Sequence, residues 1–442
     1  MEGHVLTNLA DSLQAAGVQD GEHLTAVVQH AKIAAASRAF AAWCCGGSGM
    51  VVWGHPEYGG DSSAVQDQLR TAQQVQTNNG ALAAILVDGS VVSWGHPDWG
   101  GDCSPIQHQL KHVQQVQATA GGAFAAILLD GSVVAWGSRP CGGDCSAVQE
   151  QLKNVQQIQA TGGAFAAILA DRSVVTWGSR GQGGDCSAVQ DQLMNVQQIQ
   201  ATGAAFAAIL ADGSVVAWGS ENCGGDCSAV QERLKNVLQI QATGSAFAAI
   251  LADGAAMTWG SPHRGSDCSA VQDQLMNVQQ IQATGGAFAA ILADGSVVAW
   301  GHPNLGGDCS AVQEQLKNVQ QIQATGGAFA AILADGSVVT WGNPGHGGDC
   351  SAVQGQLMNV QQIQRTSAAF AAILANGSVV SWGNPNVGGD CSAVQDWLEN
   401  VLQIQATGGA FAAILADGSV VAWGHSPDGG ESSSVQDRLQ YL

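Results

Sequence analysis

Apolar and polar positions along this chain keep a short rhythm that stops and restarts many times. In Val155-Gln-Gln-Ile-Gln-Ala the apolar residues alternate with amides, which predicts a half-buried strand. The next segment, Ala164-Phe-Ala-Ala-Ile-Leu, is apolar throughout and predicts an inner strand with small residues on both faces. A third, Ser173-Val-Val-Thr-Trp, is rich in β-branched residues and is also expected to be extended. Asp-Gly or Asn-Gly separates the second and third segments in eight copies, as at Asp88-Gly89, Asp294-Gly295 and Asn376-Gly377. These residues tolerate positive φ, so the spacing predicts a tight type I′ hairpin. Arg172 takes the glycine's place in one copy, where a left-handed backbone would cost on the order of 1 kcal/mol.

The whole pattern is periodic. Trp-Gly recurs ten times from Trp53 to Trp423, at intervals of 41 residues and once of 42. The units are numbered here by these tryptophans, unit 1 holding Trp53 and unit 10 holding Trp423. Ten units of one length predict a tandem-repeat, all-β chain with short helices, of β-propeller-like architecture. Whether the ring closes or runs on as an open superhelix stays open. Each unit ends in a tail such as Ser146-Ala-Val-Gln149, which fits a capping box and predicts a two-turn helix. Val148 and Leu152 would face the sheet, and Asn154 would stop the helix. Lys153 and Met194, like Ala135 and Thr176, alternate from unit to unit, which points to copying of an 82-residue pair. Residues 31–442 form the array, and residues 1–30 stand outside it.

Composition narrows the function classes. The formal net charge is −21, with 35 acidic and 14 basic side chains in 442 residues. Such a surface repels nucleic acid and anionic lipid, and a basic protein or peptide is the matched partner. No apolar run approaches the roughly 20 residues that span a bilayer. The N-terminal stretch has no signal-peptide pattern, so a cytoplasmic or nuclear location is expected.

Candidate chemistry is thin. Eight of the twelve cysteines fill one repeat position, from Cys103 to Cys391, where Ser62 and Ser432 stand in the end units. A small side chain is what that position asks for, and a disulfide between units is too long a reach. Cys141 with Cys145 and Cys223 with Cys227 lack a second ligand pair at zinc spacing. The repeated Gly-Gly-Asp places one carboxylate per unit, too sparse for a calcium ladder. His108 and His112 have ligand spacing on the second helix without a third partner. No phosphate loop or nucleophile elbow occurs. Neither a cofactor nor a catalytic centre is expected, so the chain reads as a non-enzyme.

Two resemblances follow from these residues. The run Ala208-Ile-Leu-Ala-Asp-Gly-Ser-Val-Val-Ala-Trp-Gly, with Val196-Gln-Gln-Ile-Gln-Ala-Thr upstream, resembles a repeat of the regulator-of-chromosome-condensation family. That resemblance implies a propeller of three- or four-stranded blades, although the unit is shorter than the family's and ten copies stand in place of seven. Residues from Asn8 to Val28 resemble the C-terminal half of a ubiquitin-like β-grasp domain. Members of the family serve as scaffolds, as recognition modules of ubiquitin ligases and as exchange factors for a small GTPase. The resemblance therefore implies an interaction scaffold first, then a substrate-recognition role in ubiquitination, then guanine-nucleotide exchange.

Comparison of the ten copies points to the loops after Trp-Gly, which vary while their frame does not. Glu57, Tyr58, Asp98, Trp99, Arg139, His263, Arg264, Leu305 and Val387 stand there. Loops in matching places fall on one rim, where repeat proteins place binding residues, and Tyr, Trp and Arg are the usual interface anchors.

Overall fold

The computed structural model describes residues 32–44 and 49–439, apart from the side chains of residues 437 and 438; the ubiquitin-like resemblance, within residues 1–30, lies outside them. Each unit is a three-stranded antiparallel sheet in sequence order, and ten such sheets follow one another. In unit 4 the strands are Val155–Ala160, Ala164–Leu169 and Val174–Gly178. The all-apolar segment is the middle strand, paired on both sides, and its Ala164, Phe165, Ala166 and Ala167 are wholly buried.

Sheets pack face to face, and the core is divided among their interfaces. Between units 3 and 4, Ala123, Ala125 and Ile127 meet Ile158, Phe165, Ala167 and Trp177. Alanine on one face of each middle strand leaves room for phenylalanine from the next sheet. In every unit but the second, that phenylalanine stacks on its own unit's tryptophan, with centroids 5.1 Å apart in unit 4. The tryptophan Nε1–H then donates across the interface to a glycine carbonyl of the preceding unit, as Trp177 does to Gly142 at 3.0 Å. Gly142 cannot be replaced, since its φ is 99° and a Cβ there would stand 2.7 Å from Phe165.

The same bond closes the array. Trp53 of unit 1 donates to Gly429 of unit 10 at 3.1 Å, and Gly408 N–H donates to Ser37 O at 2.9 Å. Ile33 and Phe40 pack with Ala410, Ala412 and Ile414. The ten sheets thus form a closed ring, which resolves the alternative the repeat left open. First strands of neighbouring units lie against one another, including those of units 1 and 10, so they form the inner wall.

Two local expectations are corrected. The hairpin is not type I′. Gly131 N–H donates to Leu128 O and Leu128 N–H to Ser132 O, and only the glycine has positive φ, at 77°. This is a three-residue loop closed by a left-handed glycine. Its aspartate is selected by hydrogen bonding, since Asp130 Oδ1 accepts from both Ser132 N–H and Ser132 Oγ–H. Arg172 does adopt φ 68°. Arg172→Gly should therefore stabilise the protein by about 1 kcal/mol, because it removes left-handed strain. Calorimetry should show this as a small rise in the thermal midpoint.

The tail is not the expected two-turn α-helix: it is 3₁₀ in the described units, and only after unit 10 does a four-residue α-helix, Gln436–Leu439, follow. Ser146–Val148 is a single 3₁₀ turn without a side-chain cap. Asp144 Oδ1, two residues before, accepts the Ser146 N–H at 3.0 Å. Gln149 reaches away from the turn, its Nε2 donating to Val133 O at 3.0 Å while its Oε1 accepts from Cys145 Sγ. The glutamine that suggested a capping box is spent on tying the connector to the sheet. Asn154 does stop the turn, with φ 58°, and His112 does the same in unit 3 with φ 55°. His108 and His112 therefore do not share a helix face.

Candidate functional site

The loop after each Trp-Gly is held at both ends. It opens on a residue whose N–H bonds the turn between the first two strands, as Ser179 N–H does to Gly163 O at 2.8 Å. It closes on the left-handed glycine whose carbonyl takes the next unit's tryptophan N–H. Thr161 supplies a further tie, since its hydroxyl donates to Gln182 O at 2.9 Å and accepts from Ala164 N–H. The three residues between form a 3₁₀ turn that makes none of these bonds with its side chains. Sequence is free to vary there.

The last of those three lies between the turn of its own unit and that of the next. A Cβ on Gly80 of unit 2 or on Gly122 of unit 3 would stand 2.8 or 3.0 Å from Trp99. Gly286 and Gly327 stand in the same way to Leu305, at 2.9 and 3.0 Å. Those turns are themselves joined round the ring by backbone bonds such as Gly121 N–H to Gly162 O and Gly162 N–H to Gly203 O, at 2.7 and 2.9 Å. The variable residues therefore sit on one rim, over a collar of small turns, while the Asp-Gly hairpins lie at the opposite ends of the strands.

The structure brings the sequence-picked residues to this rim. Tyr58, Trp99, Leu305 and Val387 are half-buried over the collar, and Glu57, Asp98, Arg139, His263 and Arg264 are exposed. Arg139 pairs with Asp144 at 3.0 Å, and Arg264 donates to Gly285 O at 3.3 Å. Sequence reasoning missed Gln182, Cys223, His346 and Asp428, which with Cys141 hold the same place in their loops. It also missed Arg38 and Asn78, which reach the rim from the collar. Their signal was available: the threonine that opens this turn in the other eight units is Ala36 before Ser37-Arg38 and Asn78 before Asn79.

Around unit 1 the rim becomes a connected cluster. Arg38 Nε donates to Asp428 Oδ1 at 2.7 Å, and His425 Nδ1 lies 2.9 Å from Asp428 Oδ2. The Arg38 guanidinium is 5.1 Å from the centroid of Tyr58. Its bond to Asp428 raises the arginine pKa above the ordinary value. Tyr58 meets His55 edge-on at 4.8 Å and His96 of unit 2 at 6.4 Å. Asn78 donates from Nδ2 to Trp99 O at 2.8 Å.

The other candidates carry no ligand geometry. Among the described residues no group of three or more His, Cys, Asp and Glu could hold a metal ion. Cys141 and Cys145 are both free. Cys145 is buried between units, and burial pushes its thiol pKa up. Asp185 of a Gly-Gly-Asp segment accepts from Ser187 and Arg180, which lower its pKa to about 2. Nine connector aspartates, eight in Gly-Gly-Asp and Asp267 in Gly-Ser-Asp, are depressed by bonds from a serine two residues on, as are seven in the hairpins. A carboxyl whose folded pKa lies below its unfolded value stabilises the fold above that value and loses this as pH falls. The thermal midpoint should stay level down to about pH 4, near the ordinary aspartate value of 3.8, and then drop toward pH 2, as circular dichroism melts would show.

Fold and rim together define the class, a tandem-repeat β-propeller with a constant frame and one variable edge. No family model matches the chain, and no curated protein matches it. Among solved structures it is similar to Prp20p from Saccharomyces cerevisiae, whose description names binding to Gsp1p and histones. Identity is 16% and the TM-score 0.38, over 86% of this chain and 90% of that one. Yeast RCC1 (Prp20) bound to Kap60 gives 15% identity and a TM-score of 0.39, over 89% and 95%. The computationally designed Ika8 protein gives 13% and 0.35, over 80% and 96%.

Proposed function

We propose that this protein is a non-enzymatic interaction scaffold whose variable rim binds another protein. The observation that carries this reading is positional. Where loops repeat, the residues that build the frame stay fixed, and the ones left to vary share a single edge of a closed ring. An edge of that kind offers side chains on a rigid base, so little ordering entropy is lost on binding. Tyr58 and Trp99 supply rigid aromatic area of the type that anchors interfaces. Replacing both with alanine should abolish capture of the partner from cell extract while shifting the thermal midpoint by only about 1–2 °C, because neither residue is fully buried. Capture at the wild-type level would remove the rim from the reading.

Two narrower readings stand behind this one. Substrate recognition for ubiquitination rests on residues 1–30, and deleting them should break association with ligase machinery. Guanine-nucleotide exchange rests on the family resemblance alone, and a nucleotide-release assay with small GTPases tests it.

A further inference from the structure

Of the ten residues that end the variable loops over the collar, one is tyrosine and one tryptophan, Tyr58 and Trp99, and they are neighbours on the ring. Each follows an exposed carboxylate, Glu57 or Asp98. The first of the two aromatics already shows what such a place can hold. Arg38 lies over Tyr58 at 5.1 Å and is paired with Asp428 at 2.7 Å, so a guanidinium rests on a ring while a carboxylate neutralises it. One step round the ring, the collar residue equivalent to Arg38 is Gly80, and Trp99 sits directly over it. Among the described residues no cation lies over Trp99, and neither Glu57 nor Asp98 is in an ion pair. His96, which opens the loop that carries Trp99, lies beside Tyr58 with ring centroids 6.4 Å apart.

We infer that Trp99, with Asp98 before it in its loop and Glu57 at the matching place in the neighbouring loop, is a docking position for an arginine side chain of a basic peptide segment. The guanidinium stacks on the indole and pairs with the carboxylates, repeating in an intermolecular form what Arg38 does within the chain. Planarity makes arginine the better occupant than lysine, because only the guanidinium stacks and forks at once. The net charge of −21 draws such a segment in, and it weakens with salt as surface charge is screened. This inference rests on the protein-binding reading of the rim and adds the chemistry of the partner.

Fluorescence anisotropy of a labelled arginine-glycine peptide on the full chain tests it, with a lysine-glycine peptide of equal charge beside it. The arginine peptide should bind several-fold more tightly than the lysine one. Trp99→Ala should weaken it about tenfold, the scale of a partly desolvated cation–π contact with its ion pair. Glu57→Gln with Asp98→Asn should weaken it about as much and flatten its salt dependence. Both carboxylates are exposed and unpaired, so that double variant should melt like the wild type. Equal binding of the two peptides, binding indifferent to these variants, or no binding by the wild type would each overturn the inference. If partner capture is still lost in the rim variants while the arginine peptide fails, the scaffold reading survives and only the partner chemistry falls.

Discussion

Trp218→Ala is expected to cost about 4 kcal/mol, in the range found when a buried aromatic is deleted from a core. Two interactions are lost together. Trp218 is 3% exposed and stacks on Phe206 with centroids 5.2 Å apart. Its Nε1–H also donates to Gly183 O of unit 4 at 3.1 Å, which leaves that inter-unit carbonyl without its donor. Trp218→Phe separates the two, since it keeps an aromatic in the stack and removes the donor. It should cost about 1–2 kcal/mol. Calorimetric melts of both variants decide the matter. If Trp218→Ala melted within a degree of wild type, the tryptophan bond would not be what ties neighbouring sheets together.

Ending the chain after Gly430 should have an effect at least as large. Elsewhere in the ring the connector between two units fills the interface it crosses, as Leu152 does, fully buried between units 3 and 4. The interface between units 10 and 1 has no through-going chain. Its connector is Ser433–Leu439 after unit 10, and Leu439 is fully buried beside Phe40, Val51 and Trp53 of unit 1. Gln436 ties that segment to Val420 O at 3.2 Å. Removing it exposes the apolar faces of both end units and should cost about 4 kcal/mol or more, since a single buried leucine is worth about 2–5. No strand is exchanged at this seam, so what remains is the Trp53–Gly429 bond that every interface repeats, the Gly408–Ser37 backbone bond and the Arg38–Asp428 pair. Small-angle scattering should show a larger radius of gyration, and hydrogen exchange should rise in units 1 and 10. Wild-type values on both would mean that the strands hold the ring closed unaided.

Much of this was legible in the sequence because it is local. The three strands follow from short runs of apolar and polar residues, and the Trp-Gly period sets the number of units. The position of the binding loops follows from comparing copies, which separates what the frame requires from what it permits. Two readings failed because a residue's side chain serves a partner that the short signature did not include. Gln149 looked like the closing member of a capping box, but its amide is used by Val133 and Cys145. Asp130 before Gly131 suggested a two-residue turn, whereas the serine that follows holds the aspartate in a three-residue one. Arg38 and Asn78 escaped notice because they lie far along the chain from the loops they join on the rim.

By itself, the sequence determined the strands, their order in each sheet and the identity of the variable edge, because each depends on residues within one unit. Ring closure was decided only in three dimensions. The interface between the first and last units repeats the sheet packing and the tryptophan bond of the others, as Trp53–Gly429, yet its partners are 376 residues apart. Whether they meet depends on a small rotation accumulated over ten sheet-to-sheet packings, a quantity set by side-chain volumes across every interface and written in no single repeat.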